Sequence, residues 1–375
     1  MLIIIFIITS IYLCLIGSLV YGFDKVLDFK TIDISAKTKF SIVIPFRNEA
    51  AHLEALLTSI SELNYPRSHF EIIMVDDDSS DNSVALIHSF NHDFDGLKIS
   101  VFKNNRQSNS PKKDAITMAI HHAKYDWIVT TDADCLVPKY WLDIFDQYIQ
   151  GHQPNLIIAP VALTKAHTFL ERFQILDILS LQGATIGGFG IKKPFLCNGA
   201  NLAYRKDFFN TLNGFSGNLN IASGDDIFLL EKAVKQDKNT VHYLKNNQVI
   251  VSTPAQSNFK SLKAQRVRWA AKTSTYHNGF GKAAGFTVLI MNALLVCLPL
   301  VFLVGIITLK TFLYTYLIKI LIDFLLLFKT ARFFNQEQYL PSYLFSSVLY
   351  PFFSVYIGFI SVFKGYKWKG RTYTK

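Results

Sequence analysis

The chain has 375 residues, of which half are hydrophobic and only 18% are charged. A soluble globular protein carries about 25% charged residues, so this composition excludes a disordered chain and argues against a purely soluble one. The net charge of +10 is typical of nucleic-acid-binding proteins, but also of membrane proteins with basic cytoplasmic flanks. The four cysteines lack zinc-ligand spacing, and they predict neither a disulfide framework nor a zinc site.

The N-terminal stretch of residues 2–20 is apolar and contains no charge. About 20 such residues cross a bilayer as a helix. A cleaved signal peptide is the alternative, but it wants a basic start and a shorter apolar run, so the sequence favours an anchor over residues 1–23. Lysines follow at positions 25, 30, 37 and 39. The positive-inside rule therefore predicts an outer N-terminus and a cytoplasmic domain after the anchor.

Four short apolar runs in the middle of the chain predict buried strands, at residues 40–45, 70–75, 97–102 and 127–131. The segments between them predict helices: one capped by Asn48 and closed by Pro66, one over residues 82–90 and one over residues 112–123. Such alternation is typical of a parallel sheet with helices on both faces. We therefore expect an α/β, Rossmann-like and mostly parallel domain over residues 24–284.

Three apolar stretches follow, at residues 286–309, 311–328 and 343–363, and they predict a helical membrane region over residues 285–375. The second contains Lys319 and Asp323, which can pair because residues four apart share a helix face. Five basic residues come after the third stretch: Lys364, Lys367, Lys369, Arg371 and Lys375. They predict a cytoplasmic tail. A tail and a domain on the same side of the membrane require an even number of crossings between them. We therefore expect one of the three stretches to be interfacial or re-entrant, and the second stretch is the first candidate.

Acidic clusters end two of the predicted strands, at residues 76–78 and 132–134. Ligands bind at the carboxyl ends of the strands in such sheets. Asp132 and Asp134 face the same side of an extended segment, and their oxygens suit Mg²⁺ or Mn²⁺, with water and phosphate completing the shell. A solvated acidic turn is the alternative. No GxGxxG follows the first strand and no GxxxxGK[ST] is present, which argues against a dinucleotide oxidoreductase and a P-loop NTPase.

Five segments carry a resemblance to a known family: SIVIPFRNEA at 41–50, IMVDDDSSDNS at 73–83, DADC at 132–135, SGDD at 223–226 and QRVRW at 265–269. In this order they resemble the motifs of the family 2 glycosyltransferases, inverting GT-A enzymes that include cellulose-type and hyaluronan-type synthases. The last segment matches the QxxRW signature of the membrane-associated branch. The chain departs from the family pattern at Asp225, where Glu is usual, and at Asp78, where Gly is frequent.

The resemblance implies a GT-A fold, a nucleotide-sugar donor and specific donor-binding residues. Pro45 and Glu49 would line the nucleotide pocket. Asp76 and Asp77 would approach the base and ribose, since a carboxylate accepts hydrogen bonds from both. Lys112 matches a family lysine near the nucleotide, and a surface lysine at a helix start is the alternative.

The resemblance also implies the metal ligands and the catalytic base. Asp134 would hold Mg²⁺ or Mn²⁺, and Asp132 would contact the ion or the ribose. Asp226 would remove the proton from the acceptor hydroxyl during inverting transfer, with Asp225 as the next candidate. The alternative for Asp226 is an ordinary aspartate that caps a helix.

The QxxRW match implies three further site residues, which would act at the leaving diphosphate and at the acceptor. Arg268 would stabilise the diphosphate, because the guanidinium fork suits phosphate oxygens. Trp269 would close over the acceptor, and Gln265 would brace the loop. An amphipathic helix at the membrane surface is the structural alternative, and both interpretations can hold together.

We expect inverting transfer of a sugar from a nucleotide sugar to a lipid, lipid-linked or glycan acceptor at the plasma (inner) membrane. The family resemblance implies that the donor is a UDP-sugar. The catalytic domain would be cytoplasmic. One alternative is a processive polysaccharide synthase, although the few predicted spans are thin for a polymer channel. Another is an inactive membrane-tethered scaffold that binds nucleotide sugars. Nucleic acid is not an expected partner, because the basic residues gather at membrane flanks and in the tail.

Overall fold

The computed structural model describes residues 1–93, 96–273, 275–363, 366–368 and 371–373. Its strands are β1 Phe40–Phe46, β2 Phe70–Asp76, β3 Ile99–Lys103, β4 Trp127–Thr130, β5 Leu156–Ile158, β6 Val161–Leu163, β7 Leu202–Arg205, β8 Val241–Tyr243, β9 Val251–Thr253, β10 Tyr366–Trp368 and β11 Arg371–Tyr373. Its helices are α1 Leu2–Lys25, α2 Ala50–Ser61, α3 Ser83–Asp93, α4 Pro111–His122, α5 Trp141–His152, α6 Phe169–Gly190, α7 Lys206–Thr211, α8 Asp225–Asp237, α9 Phe259–Thr273, α10 Gly279–Leu303, α11 Leu309–Phe333 and α12 Tyr343–Phe363.

The chain divides into two compact units. The sheet unit comprises Leu27–Thr164 and Cys197–Pro254. The helical unit comprises Met1–Val26, Lys165–Leu196 and Ala255–Lys375. The division of the chain into domains at residues 23 and 284 stays a prediction. Of the five basic residues predicted in the tail, Lys364, Lys369 and Lys375 lie outside the described residues.

The sheet unit contains a seven-stranded sheet in the order β3-β2-β1-β4-β7-β5-β8. Strand β1 runs parallel to both β2 and β4, and β3 runs parallel to β2. Strand β7 is antiparallel to β4 and β5, so the sheet is mostly parallel, as expected. The four predicted strands are confirmed, with ends that differ by one or two residues from the predicted ones.

The sheet is stable because its central strands are buried on both faces. In β1 and β2, nearly every side chain is buried, which explains their continuous apolar sequences. Helix α2 packs against this layer through Leu53, Leu56, Leu57 and Ile60, all fully buried. Each such leucine contributes about 1.5–3 kcal/mol of transfer free energy, so the helix and the loop before it are held firmly on the sheet.

The predicted capping role of Asn48 is wrong. Helix α2 begins one residue later, with Glu49 at its N-cap and no side-chain cap. Asn48 has a left-handed backbone, with φ of 52°, and this turns its side chain away from the helix. Its Oδ1 accepts a hydrogen bond from the backbone N–H of Ser80 at 2.8 Å instead. The first N–H of the helix, that of Ala50, donates to Asp81 at 3.0 Å.

The helical unit contains α1, α10, α11 and the segment Glu337–Phe363, which includes α12. Among the described residues, these four are long and apolar enough to cross a membrane. The expectation that residues 311–328 are interfacial or re-entrant stays a prediction. The predicted pair within that stretch is confirmed, since Lys319 Nζ lies 2.9 Å from Asp323 Oδ2.

Helix α6 packs closely on α1 in the same unit. A Cβ atom added at Gly190 would lie 1.8 Å from the carbonyl oxygen of Gly22, and one added at Gly187 would lie 2.4 Å from that of Leu19. The two backbones therefore touch, as in the small-residue interfaces of membrane helices. Phe173, Leu176 and Leu179 of α6 are also buried. Helix α6 is consequently a core element of the helical unit.

Candidate active site

The loops that follow β1, β2 and β4 meet at one edge of the sheet. Phe46, the last residue of β1, is paired with Asp76, the last residue of β2. The backbone N–H of Asp77 then donates to the carbonyl of Phe46 at 2.9 Å. Pro45 and Glu49 lie on either side of the β1 end, and both are half-buried. The structure thus brings Pro45 and Glu49 to the same edge as the first acidic cluster.

Asp76 and Asp77 are buried, with 8% and 6% of their surface exposed. Asp76 Oδ1 accepts from the backbone N–H of Ser79 at 2.9 Å. Asp77 Oδ1 accepts from Asn104 Nδ2 at 2.9 Å and from Arg106 Nε at 2.6 Å. These hydrogen bonds fix the directions of the two buried carboxylates. The cluster is therefore preorganised by the loop that follows β3.

Asp78 turns outward from this cluster in a left-handed conformation, with φ of 68°. Aspartate tolerates this region better than most residues, although glycine adopts it most readily. The frequent Gly of the resembled family therefore has a conformational reason. Arg106 and, less strongly, Arg47 lower the pKa of the Asp78 carboxyl by their charges and hydrogen bonds. Arg47 also donates to the carbonyls of Asp77 and Asp78, at 2.6 and 2.7 Å.

Lys112 joins the second acidic cluster to the start of α8. Its Nζ lies 2.7 Å from Asp132 Oδ1 and 3.3 Å from Asp225 Oδ2. Burial lowers the pKa of Lys112, but Asp132, Asp225 and Asp226 outweigh it and raise the pKa well above its usual range. The amine therefore stays protonated. Lys112, Asp132 and Asp225 form one cluster. The alternative interpretation of Lys112 as a surface lysine at a helix start is therefore not supported.

Asp226 lies in the first turn of α8, and Gly224 rather than an aspartate is the N-cap. The backbone N–H of Gly199 donates to Asp226 Oδ2 at 3.2 Å. A Cβ added at Gly199 would lie 3.1 Å from Asp225 Oδ2 and 3.8 Å from Lys112 Nζ. A larger residue at position 199 would therefore require the Asp225 carboxylate to shift by a few tenths of an ångström. Asp226 is half-buried, so its carboxylate is oriented and still accessible.

Asp132 and Asp134 follow β4, and both are half-buried. No group of three or more His, Cys, Asp or Glu side chains suited to a metal occurs among the described residues. Two carboxylates are nevertheless a fitting donor set for Mg²⁺ or Mn²⁺ when phosphate and water supply the remaining oxygens. Burial and the charges of Asp132 and Asp134 raise the pKa of the neighbouring Cys135 thiol well above its usual range.

Gln265, Arg268 and Trp269 lie on α9, which belongs to the helical unit. All three are half-buried. The carboxylates and Lys112 belong to the sheet unit, so the predicted site residues are divided between the two compact units. The roles implied for the three α9 residues at the diphosphate and the acceptor stay predictions.

Several contributors to the site were missed in the sequence. Arg106 and Asn104 lie in a polar loop. Only their position after the end of a predicted strand could have identified them as candidate site residues. Lys113 is fully buried, and its Nζ donates to the carbonyls of Asn218 and Ile221 at 2.7 and 2.9 Å. It thereby fastens the loop that leads into α8. No local pattern distinguishes Lys113 from its neighbour in the sequence.

Comparison with known proteins gives one family. Residues 41–212 match the model of glycosyl transferase family 2. Glycosyltransferase AglE of Haloferax volcanii is 24% identical over 195 residues, which are 52% of this chain and 60% of AglE. The poly-beta-1,6-N-acetyl-D-glucosamine synthase of Staphylococcus aureus is 26% identical over 183 residues, 47% of this chain and 41% of the synthase. The chain thus spans less than two thirds of the length of these relatives.

The fold comparison agrees with the family match. The mannosyltransferase PcManGT from Pyrobaculum calidifontis, solved with GDP-Man and Mn²⁺, superposes with a TM-score of 0.59 at 16% identity and covers 92% of this chain and 98% of its own. This likeness concerns the fold, which is the mostly parallel GT-A type. The order of strands, the acidic clusters and the match of residues 41–212 to the family model agree with one another, and this part of the chain is similar to the family 2 glycosyltransferases.

Proposed function

We propose that the protein transfers a sugar from a nucleotide-diphosphate sugar, with inversion, to a lipid or lipid-linked acceptor at a membrane. The observation that carries this proposal is the cluster of Lys112, Asp132, Asp225 and Asp226 at the end of the parallel strands. It combines a fixed cation for phosphate, a carboxylate of the DxD segment and an accessible carboxylate that can accept a proton.

The donor would occupy the edge formed by Pro45, Glu49, Asp76 and Asp77. The two buried aspartates are fixed acceptors for N–H and O–H groups of a base and ribose. We propose UDP as the nucleotide, which rests on the family resemblance alone. PcManGT, which shares the fold, was solved with GDP-Man, so guanosine donors belong in any assay of this protein.

A divalent ion fits the acidic turn after β4. Asp134 and Asp132 would hold Mg²⁺ or Mn²⁺, and the bound ion supplies charge neutralisation for the leaving diphosphate. Lys112, protonated and 2.7 Å from Asp132, adds a fixed positive charge beside it. Arg268 is the proposed second cation for the diphosphate.

Asp226 would act as the base. In the transfer, the acceptor oxygen bonds to the anomeric carbon on the face opposite the diphosphate, and the bond to the diphosphate oxygen breaks. The hydroxyl proton passes to Asp226, and the nucleoside diphosphate departs with the bonding electrons. The Gly199 N–H would direct the carboxylate before transfer, and the dipole at the start of α8 favours its negative charge. Asp225, which is paired with Lys112, is less available for this step.

We propose a lipid-type acceptor because the QRVRW helix lies in the same unit as the four apolar helices. Trp269 would close over the acceptor, and Gln265 would brace the helix. The catalytic domain would face the cytoplasm, where nucleotide sugars are made, at the plasma (inner) membrane. A processive polysaccharide synthase is the second candidate, because one relative is named a poly-beta-1,6-N-acetyl-D-glucosamine synthase.

A donor screen with the detergent-purified protein tests the proposal. Nucleoside diphosphate release is measured for UDP- and GDP-sugars with Mg²⁺ or Mn²⁺, with and without lipid extract, and the products are sized. One sugar added to an extractable lipid supports the proposal, whereas a water-soluble polymer ladder favours the synthase. Tight donor binding without turnover in any mixture favours the inactive scaffold. Asp207→Asn, an exposed aspartate paired with Arg205, is the matched control for site variants.

A further inference from the structure

The QRVRW segment has an inner and an outer part. Its two variable positions, Arg266 and Val267, are 7% and 5% exposed, whereas Gln265, Arg268 and Trp269 are half-buried. Leu262, one turn before Arg266, is fully buried as well. Arg266 and Val267 therefore dock α9, whereas the signature residues Gln265, Arg268 and Trp269 stay accessible.

The docking of α9 depends on a buried ion pair. Arg266 Nε lies 2.6 Å from Asp177 Oδ2 of α6, and the two side chains are only 7% and 5% exposed. A buried charge that loses its partner is strongly destabilising, because water cannot replace the missing contact. A rotation or displacement of α9 would separate the pair. The pair consequently fixes which face of α9 is turned toward α6.

Arg266 also contacts both ends of the signature. Its guanidinium carbon lies 4.2 Å from the ring centre of Trp269, a stacking geometry favourable for a cation and an indole. Its Nη1 donates to Oε1 of Gln265. One side chain thus connects α6 to the first and last residues of the signature.

A second polar contact of α6, in addition to the Asp177 ion pair, holds the segment that leads into α9. Gln174, one turn before Asp177, is 1% exposed. Its Nε2 donates to the carbonyl of Gln256 at 2.9 Å, and its Oε1 accepts from the N–H of Gln256 at 2.8 Å. Helix α6 therefore fixes both the approach to α9 and the orientation of α9.

We propose that Arg266 and Asp177 are a positioning pair, which docks the QRVRW helix on α6 and sets the orientation of Gln265, Arg268 and Trp269 for sugar transfer. The inference rests on the proposed function, because transfer is the process that this orientation serves. Neither residue of the pair is a catalytic residue, and both act through the signature residues that they hold.

The test compares Arg266→Met, Asp177→Leu and the double variant in the full-length protein. Each single change strands a buried charge, so we expect a marked loss of thermal stability. The double change replaces the pair by apolar side chains, which is often neutral for stability, so the midpoint should return close to wild type. A pair with a merely structural role would then regain activity as well.

We expect the double variant to remain impaired in two respects. Amide hydrogen exchange in residues 259–273 should be faster than in the wild type, with the sheet unit unchanged. The kcat of transfer should fall by about 10²-fold, as is typical for misplaced groups, while the donor KM changes little. The double variant Lys329→Met with Asp24→Asn removes a more exposed ion pair of the same unit and should match wild type in all readouts.

Wild-type exchange and wild-type kcat in a folded double variant would overturn the proposal. If the double variant does not fold, Arg266→Lys decides, because it keeps the charge but loses the fork and the stacking. Faster exchange at α9 with a reduced kcat supports the pair, and unchanged values contradict it. Failure of the wild type to release nucleoside diphosphate from any donor refutes the proposed function instead, and the exchange comparison still decides the docking.

Discussion

Charged side chains are arranged differently in the two units. In the sheet unit, Lys112 is shared by Asp132 and Asp225, and Asp132 is 38% exposed. In the helical unit, Lys319 is 2% exposed and pairs with Asp323. A shared and partly hydrated cluster can exchange partners when a charged ligand arrives, because water and ligand replace the lost contacts. A buried pair cannot do so without stranding a charge.

This difference separates charged side chains that can take part in the reaction from charged side chains that stabilise the packing of helices. The charges of the Lys112 cluster lie at the end of β4 and at the starts of α4 and α8, where they can rearrange without disturbing the apolar core. In the helical unit, Arg266–Asp177 joins α9 to α6, whereas Lys319–Asp323 lies within α11, where Tyr12 of α1 also donates to Asp323. We therefore expect substitutions in the first group to change turnover and those in the second group to change stability first.

The largest effect is expected for Asp226→Asn, which keeps the size of the side chain and removes the proton acceptor. The kcat of transfer should fall by about 10²–10⁴-fold, while thermal stability and donor affinity stay near wild type. Donor turnover and calorimetric donor binding measure the two effects, with Asp207→Asn as the control. A near-normal kcat would mean that another group is the base, with Asp225 the next to test.

Asp134→Ala is expected to have the next largest effect, because it removes a proposed metal ligand. Turnover should fall by roughly 10²-fold or more, since a divalent ion supplies several kcal/mol of charge stabilisation. Chelator should abolish wild-type turnover, and Mg²⁺ or Mn²⁺ should restore it. Full activity in excess chelator would contradict the metal assignment, whatever the variant does.

Lys319→Met tests the other side of the comparison. It removes a buried cation and leaves Asp323, which is 18% exposed and also accepts from Tyr12 at 2.6 Å, without its ion-pair partner. We expect a loss of about 3–5 kcal/mol in the free energy of unfolding, measured as a lower thermal midpoint in detergent. Lys329→Met removes a pair that is 33% and 58% exposed and should cost less than about 1 kcal/mol. Equal losses would refute the distinction drawn between buried and exposed pairs.

The smallest effect is expected for Asp78→Gly. Glycine relieves the left-handed backbone strain at this position, but it also has the larger conformational entropy in the unfolded chain. The two changes oppose each other at about 1 kcal/mol each, so stability and donor turnover should stay near wild type. A large loss of donor affinity would instead give the Asp78 carboxylate a role in binding.

The sequence by itself determined the local features of this protein. The four parallel strands followed from short apolar runs, because buried strands need apolar side chains on both faces. The apolar helices followed from length and composition, and the Lys319–Asp323 pair followed from helical spacing. The positions of both acidic clusters at strand ends also followed, since the order of strands and helices is local information. Asn48 shows the limit, because its left-handed backbone was not visible in the residue type.

Only the tertiary structure decided which distant residues meet. Arg106 reaches Asp77 across 29 positions, and Arg266 reaches Asp177 across 89. Gly199 donates to Asp226 and lies close to Asp225 only because the fold brings the segment before β7 to the start of α8. Such contacts depend on how the elements pack, and packing is set by the complementarity of whole surfaces rather than by any local pattern. The positions of the acidic segments could be predicted from short motifs, whereas the side chains that hold these segments in place could not.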